Sequence, residues 1–298
     1  MSWLRFLWQI PTALLVLTAL LFLINEYSIA RPSERTNDIP YLSPNSPEFS
    51  AERHVLDVYA PNQKTAQLRP VVIFIHGGNW DSGSKNLYAF IGRRLAKQGV
   101  VAVLINYRLS PAVRVPAMAD DCARAVLWTT QHIGEYGGDP NRIFVMGHSA
   151  GGGLAALVAT DRQLLEKWKL PFNAVKGAIL DDPAGLDMFD YLKKMEFPGD
   201  EQYLVPFSTD STVWRAMSAL YQVTAAGPPI LLYTGSRTYP GIIRSTQKFH
   251  QRLLELGVKH EYKVFPGKKH VGMVAQLFWK NNLIYQDLLK LVGAPKSD

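Results

Sequence analysis

Continuous apolar runs alternate with longer stretches whose apolar residues recur at helical spacing. The runs are rich in Val and Ile and are bounded by turn-forming residues, which is typical of buried strands. They predict strands at residues 55–59, 71–75, 100–105, 142–146, 175–180, 230–233 and 261–265. The intervening patterns predict helices at residues 87–98, 117–133, 151–159, 242–256 and 274–291. This alternation predicts an α/β protein with a mostly parallel sheet that helices cover on both faces.

Residues 186–226 interrupt the alternation. This segment is rich in aromatic residues, namely Phe189, Tyr191, Phe197, Tyr203, Phe207 and Trp214. We expect a small cap that walls a pocket over the carboxyl ends of the strands, where parallel sheets bind ligands. The alternative for each aromatic residue taken singly is that it only packs the cap onto the core.

The N-terminus has a different pattern. Residues 6–24 are almost entirely apolar, which predicts a hydrophobic helix long enough to cross a bilayer. Ser28-Ile29-Ala30 also resembles a signal-peptide cleavage site, so residues 1–30 are either a transmembrane anchor or a signal peptide. If Arg5 stays on the cytoplasmic side, we expect the rest of the protein outside the cytoplasm, in the periplasm or the extracellular space. It would then be either membrane-anchored or secreted. Residues 31–50, rich in Pro, Ser and Asn, predict a linker before one domain at 51–298.

Charge and cysteine content exclude several classes of protein. The 298 residues carry a formal net charge of +7, but the Lys and Arg residues are scattered, so we expect no nucleic-acid partner. Cys122 is the only cysteine, which excludes a disulfide framework and a cysteine metal cluster. We expect no metal and no cofactor, and the sequence does not indicate an oligomeric state.

The pentapeptide Gly147-His148-Ser149-Ala150-Gly151 has the pattern G-x-S-x-G. It follows a predicted strand and opens a predicted helix. A serine on such a strand–turn–helix junction is typical of a nucleophile elbow, which lifts the hydroxyl above the sheet edge. By itself the pattern also fits an ordinary Gly/Ser-rich turn.

Two further strand ends carry groups that suit the same chemistry. His76-Gly77-Gly78-Asn79-Trp80 follows the strand at 71–75, and its backbone N–H groups can bind an oxyanion together with the N–H of Ala150. His270 follows the strand at 261–265 and is placed to act as the base. The oxyanion loop, the serine and the histidine come in the chain order that this chemistry uses.

These motifs resemble those of the α/β-hydrolase superfamily, in particular its HGG-loop carboxylesterases, which include feruloyl-esterase-like, arylformamidase-like and hormone-sensitive-lipase-like enzymes. The similarity runs from about residue 50 to the C-terminus and is densest from 71 to 160. It rests on residues 76–80, 106–111, 135–142 and 147–152. The resemblance implies a Ser149–His270 pair, an oxyanion hole from Gly77, Gly78, Asn79 and Ala150, and the α/β-hydrolase fold.

The family pattern breaks at the catalytic acid. The family has an Asp after the strand at 230–233, whereas this chain has Thr238, which cannot stabilise an imidazolium by charge. Asp182, in Asp182-Pro183-Ala184-Gly185, ends the preceding strand and resembles the acid of lipases related to pancreatic lipase. We expect Asp182 to be the acid, with Asp181 and Asp187 as alternatives; Asp before Pro is also common turn chemistry.

The sequence therefore predicts a serine hydrolase that cleaves carboxylic esters through an acyl-enzyme. Its partners would be a small-molecule ester or amide substrate and, through the N-terminal segment, a membrane. The alternatives are an arylformamidase or peptidase-like hydrolase, a weak Ser–His dyad, and a catalytically impaired binding protein, to which Thr238 would point.

Overall fold

The computed structural model describes residues 33–62 and 67–294, which contain one eight-stranded sheet. The strand order is β1-β2-β4-β3-β5-β6-β7-β8. Neighbours from β4 to β8 are parallel, whereas β1 and β2 pair in antiparallel fashion with each other and β2 does so with β4. The strands are β1 Ser33–Pro40, β2 Val55–Pro61, β3 Arg69–Ile75, β4 Val101–Ile105, β5 Gly138–His148, β6 Val175–Asp181, β7 Ile230–Gly235 and β8 His260–Phe265. The predicted mostly parallel sheet is confirmed.

Helices connect the parallel strands, as the alternation predicts. The α-helices are α1 Ala89–Lys97, α2 Val115–His132, α3 Ala150–Thr160, α4 Arg162–Glu166, α5 Met188–Lys194, α6 Leu204–Phe207, α7 Ser211–Ala216, α8 Ala219–Gln222, α9 Pro240–Glu255, α10 His270–Ala275 and α11 Leu283–Val292.

The sheet has a hydrophobic core on each face. Val71, Ile73 and Ile75 belong to one core, and Val72 and Phe74 of the same strand belong to the other. Successive side chains of a strand point to opposite faces, so a strand covered on both sides must be apolar throughout. This explains why the central strands are continuous apolar runs rather than alternating ones.

The prediction of a linker over residues 31–50 is wrong for its first part, because Ser33–Pro40 forms the edge strand β1. Strand β1 pairs with β2, and Arg35 and Lys85 converge on the buried carboxylate of Asp57, with Nη2 and Nζ 2.6 and 2.7 Å from its oxygens. An exposed edge strand needs backbone pairing rather than apolar side chains, so its polar sequence resembles that of a loop.

The single helix expected at 274–291 is also wrong, because the chain forms α10 and α11 with a break between them. Asn282 causes the break. Its side-chain oxygen accepts from the Tyr285 backbone N–H at 3.0 Å, which caps α11, and its amide nitrogen donates to the Trp279 carbonyl at 2.7 Å. Asparagine favours helix caps over helix interiors for this reason.

The segment between β6 and β7 contains four short helices, α5 to α8, and contributes the cap. Some of its aromatic residues pack inward: Phe207 is 1% exposed, and its ring centroid lies 4.9 Å from that of Trp80. Phe197, by contrast, is 38% exposed. The cap aromatics therefore include both packing residues and residues at the surface.

The expected N-terminal hydrophobic helix and the end of the chain lie outside the described residues. Within residues 33–62 and 67–294, no helix combines the length and the apolar character that crossing a bilayer requires.

Candidate active site

Ser149 lies on a sharp turn between β5 and α3. Its φ of 56° and ψ of −126° place a non-glycine residue in a strained backbone region. The flanking glycines are required by close approach: a Cβ on Gly147 would lie 2.1 Å from the Gly151 carbonyl oxygen, and one on Gly151 would lie 2.2 Å from the Ile75 carbonyl oxygen. The turn therefore has the geometry of a nucleophile elbow, as the motif predicts.

The structure brings Ser149, His270 and Asp182 together in a line of hydrogen bonds. His270 begins α10, and its Nε2 lies 2.7 Å from Ser149 Oγ. Its Nδ1 lies 2.6 Å from Asp182 Oδ2. The Asp182 side chain is fully buried and that of His270 is 16% exposed. A base bonded to both a hydroxyl and a carboxylate is the arrangement that activates a serine nucleophile.

Asp182 is fixed in place from two sides by β7 and the loop after it. Its backbone has a φ of 47°, and its Oδ1 accepts the Gly235 N–H at 2.9 Å. The Thr238 hydroxyl donates to Oδ2, the oxygen that also faces His270. Thr238, at the position where an Asp was expected, therefore donates a hydrogen bond to the candidate acid Asp182. Sequence reasoning missed this contact, although the position of Thr238 at the end of a neighbouring strand was a signal for it.

The two alternative acids have other partners. Asp181 Oδ2 lies 3.1 Å from Nδ1 of His148. Asp187 caps helix α5 by accepting the Asp190 N–H, and it forms an ion pair with Lys248 at 2.8 Å. Because Asp182 is the carboxylate bonded to His270, the geometry favours Asp182 over both alternatives.

The HGG loop lies directly against the elbow. A Cβ on Gly77 would approach the His148 carbonyl oxygen to 2.8 Å and Ser149 Cβ to 3.1 Å. Gly78 has a φ of 128°, and a Cβ there would lie 2.2 Å from the Ser82 carbonyl oxygen. Only glycine fits at either position without moving the backbone.

Gly78 and Asn79 line the cavity above Ser149, so their N–H groups are the loop's candidates for an oxyanion hole. Gly77, which the sequence also nominated, is not among the residues that line the cavity, and its backbone partly offsets the increase that burial causes in the pKa of Tyr88. Ala150 begins helix α3, where the first N–H groups have no acceptor within the helix. An anion beside Ser149 would therefore meet backbone donors from two elements.

His76 anchors the HGG loop as a buried, neutral imidazole. It is 0% exposed and stacks on Tyr107 with ring centroids 4.4 Å apart. Its Nδ1 donates to the Gly77 carbonyl at 2.7 Å, and Arg53 Nη2 lies 3.5 Å from its Nε2. Burial lowers the pKa of His76 to about 4, so the ring is neutral at physiological pH.

A cavity of about 740 Å³ opens above Ser149 and His270. Residues of the cap and of the loop after β7 form its walls. Most of the wall is apolar or aromatic, with contributions from Trp80, Tyr88, Met188, Tyr191, Phe197, Tyr203, Tyr239, Ile242, Val271 and Val274. A cavity of this size and lining suits an organic molecule rather than a small ion.

This sheet order, the serine on the turn after β5 and the histidine after β8 together define the protein as an α/β-hydrolase. The BD-FAE family model matches residues 56–253, and the chain belongs to this family. Esterase B from Lactobacillus rhamnosis, solved in an inhibited state, has the same fold, with a TM-score of 0.72 and 21% identity over 95% of this chain and 94% of that one.

Curated relatives include a methylesterase and a formamidase. A probable isoprenylcysteine alpha-carbonyl methylesterase of Arabidopsis thaliana is 28% identical, with 85% of this chain aligned to 56% of the relative. A kynurenine formamidase of Danio rerio is 25% identical, with 88% of this chain aligned to 85% of the relative. The chain thus spans little more than half the length of the plant methylesterase.

Proposed function

We propose that the protein is a serine hydrolase that cleaves carboxylic esters through an acyl-enzyme. The observation that carries this proposal is the continuous hydrogen-bonded line from Ser149 Oγ through His270 to Asp182, at the floor of an apolar cavity. The membership of the BD-FAE family and the esterases among the relatives support it. The idea of an impaired site rested on Thr238, which instead donates a hydrogen bond to the acid.

In the first step, Ser149 Oγ attacks the carbonyl carbon of the ester while His270 Nε2 accepts the hydroxyl proton. Asp182 keeps Nδ1 protonated, which leaves Nε2 free to accept, and stabilises the imidazolium that forms. The carbonyl oxygen becomes an oxyanion beside the backbone N–H groups of Gly78, Asn79 and Ala150. Each such donor contributes about 3 kcal/mol to lowering the barrier.

The acyl-enzyme forms when the C–O bond to the leaving alcohol breaks and His270 donates its proton to the departing oxygen. The acyl group is then an ester of Ser149. Water enters from the open side of the cavity, His270 takes a proton from it, and the resulting tetrahedral intermediate collapses to release the acid and regenerate Ser149.

The proposal is tested by labelling the full-length protein with a fluorophosphonate and measuring hydrolysis of p-nitrophenyl esters of graded acyl length. We expect labelling and turnover in the wild type and neither in Ser149→Ala. Asp182→Asn should keep the fold, because the amide is isosteric, but lower kcat by about 10⁴-fold, as the loss of a triad acid does elsewhere.

One matched variant separates the proposed acid from a neighbouring carboxylate. Asp187→Asn changes a cavity carboxylate that is bonded to Lys248, and it should retain most of the turnover. If folded wild type is neither labelled nor active on any ester, the hydrolase proposal is refuted. If Asp182→Asn keeps full turnover while Asp187→Asn loses it, Asp182 is not the catalytic acid.

A formamide is the second candidate substrate, since the Danio rerio kynurenine formamidase aligns along most of its own length. The same three residues would attack a formyl carbon and protonate a departing arylamine. Turnover of N-formyl arylamines alongside matched aryl esters distinguishes the two: an arylformamidase would show the higher kcat/KM on the formamide.

We also propose that residues 1–30 carry the protein out of the cytoplasm and that the hydrolase domain acts there. The apolar run at 6–24 supports this placement. Alkaline extraction of membranes and N-terminal sequencing of the mature protein test it. An intact N-terminus in the membrane pellet indicates an anchor, a new N-terminus at Arg31 indicates a cleaved signal, and an intact protein in the cytosol refutes the proposal.

A further inference from the structure

A second histidine–carboxylate pair lies beside the triad. His148 Nδ1 is 3.1 Å from Asp181 Oδ2 and 3.1 Å from the Asp181 backbone oxygen. The two residues face each other in adjacent parallel strands, β5 and β6, and are 4% and 0% exposed. Each directly precedes a triad residue in the sequence, Ser149 or Asp182. The mechanism above gives neither side chain a role.

The ring of His148 packs on the ring of the proposed catalytic base. The centroids of His148 and His270 are 4.8 Å apart, with an interplanar angle of 32°. On another side, Tyr239 meets His270 edge-on at 5.1 Å. The proposed base therefore contacts two rings, and one of them, His148, is hydrogen-bonded to a buried carboxylate.

The carboxylate of Asp181 has few hydrogen-bond partners. Among the described residues, Asp181 Oδ1 is buried and has no hydrogen-bond partner, so His148 provides the side-chain contact for the group. Another buried pair, His54 and Asp121, shows the contrast: Arg108 adds hydrogen bonds to both oxygens of Asp121. Burying a carboxylate that is only partly paired costs stability, so the side chain of Asp181 does not contribute to the fold in the way that Asp121 does.

We propose that His148 and Asp181 are positioning residues for His270: the ring of His148 supports the base, and the charge of Asp181 stabilises its imidazolium. The inference rests on the proposed hydrolase function and deepens it. During attack by Ser149, His270 gains a proton, and a negative charge one imidazole ring away favours that state. A buried carboxylate kept at a cost in stability fits a role in catalysis.

Removing the negative charge of Asp181 would disfavour the imidazolium of His270, so the pH dependence of the reaction reports on the pair. Three other titratable groups lie near the pair. Asp182 directly follows Asp181 in the chain, Tyr88 lines the cavity and interacts with the charge of Asp181, and Tyr233 of β7 also interacts with that charge.

Asp181→Asn is the direct test, because it keeps the size of the side chain and an oxygen that accepts from His148 while it removes the charge. The backbone oxygen of Asp181, which accepts the Ser149 N–H at 3.2 Å, is unaffected. We expect kcat on a p-nitrophenyl ester to fall on the order of tenfold with KM within about twofold. The acid limb of the kcat/KM profile should move to lower pH, and the melting temperature should stay equal or rise.

His148→Gln tests the histidine of the pair. The double variant, which combines His148→Gln with Asp181→Asn, tests whether the two residues act together. If the pair acts as a unit, the double variant loses no more kcat than the more damaging single variant. Asp121→Asn is the matched control, a buried carboxylate of a histidine pair outside the site. It should lower the melting temperature through loss of the Arg108 contact and leave the pH profile of the folded protein unchanged.

Three results would overturn the inference: wild-type kcat and pH profile in Asp181→Asn, a loss of kcat matched by a loss of melting temperature, or losses in the two single variants that simply add. These results differ from failure of the hydrolase proposal itself. That failure would appear as an inactive, unlabelled wild type or as full activity in Ser149→Ala.

Discussion

Acid should weaken the protein through His76, the buried imidazole at the start of the HGG loop. Its ring is 0% exposed and stacked on Tyr107, so protonation would place a charge in an apolar site. Burial removes hydration and lowers the pKa of His76 from 6.5 to about 4. The hydrogen bond to the Gly77 carbonyl raises this pKa in part, and the positive charge of Arg53 lowers it further.

The two pKa values give the sign and the size of the effect. The unfolded chain takes up a proton at His76 near pH 6.5, whereas the folded protein does so only near pH 4. Stability from this residue is therefore complete above pH 6.5 and declines as the pH falls towards 4. Between pH 7 and pH 4 the decline amounts to about 3 kcal/mol, a large part of the free energy of unfolding of an ordinary domain.

Urea unfolding at pH 7, 6, 5 and 4, followed by tryptophan fluorescence, measures this decline. The matched variant is His76→Asn, whose amide nitrogen can replace Nδ1 as the donor to the Gly77 carbonyl but does not titrate. Other groups titrate in both proteins, so the quantity of interest is the difference between them. We expect the wild type to lose about 3 kcal/mol more than the variant between pH 7 and pH 4. Parallel losses in the two proteins would refute the reasoning.

Three further predictions follow from contacts described above. Thr238→Val removes the hydroxyl that donates to Asp182 and should lower kcat about tenfold with little change in KM, whereas Thr238→Ser should retain the activity; equal losses in both would contradict this role. Gly78→Ala places a Cβ 2.2 Å from the Ser82 carbonyl oxygen and should displace the oxyanion loop, so that kcat falls about a hundredfold or more; a wild-type kcat would refute it. Lys85→Met leaves the buried carboxylate of Asp57 without its Nζ partner at 2.7 Å, and chemical denaturation should show a loss of about 3 kcal/mol; an unchanged midpoint would show that Arg35 suffices.

The sequence predicted the central part of the fold well because the physical signal there is strong. Strands β3 to β7 are covered on both faces, and short runs rich in β-branched residues, such as Val71-Val72-Ile73-Phe74-Ile75, are typical of buried strands. The elbow and the HGG loop were predictable for a similar reason. Glycines at Gly147 and Gly78 are enforced by contacts shorter than a Cβ allows.

The edge strand and the C-terminal helices were predicted incorrectly because their signals are local and weak. Strand β1 is stabilised by pairing with β2 and by ion pairs to Asp57, and neither is visible as periodicity. The break before α11 depends on the side chain of Asn282, while the surrounding apolar spacing continues. Both errors arose where a few polar contacts outweigh the hydrophobic pattern.

For the site, the sequence indicated which residue types were present but not how they meet. Asp182 could be nominated from a short resemblance, but its contact with His270 depends on the spatial adjacency of β6, β7 and the loop after β8. The role of Thr238 as a donor to that acid was not foreseen, because a hydroxyl at the usual acid position looks like a loss when it is read alone.

The position of the proposed acid, Asp182, ties the cap to the proposed chemistry through the covalent chain. Asp182 is followed at once by Pro183, Ala184 and Gly185, and the Ala184 N–H donates to the Ser149 carbonyl at 2.9 Å before the cap begins. A Cβ on Gly153 would lie 2.1 Å from the Ala184 oxygen, so this short connection is clamped against the helix behind the nucleophile. The cap is therefore not an interchangeable part. A cap transplanted from an enzyme whose acid follows β7 would bring a connection built for an acid at that other position. The hybrid would then need an Asp at position 238 in place of Thr238, and a replacement for Asp182, in the same step.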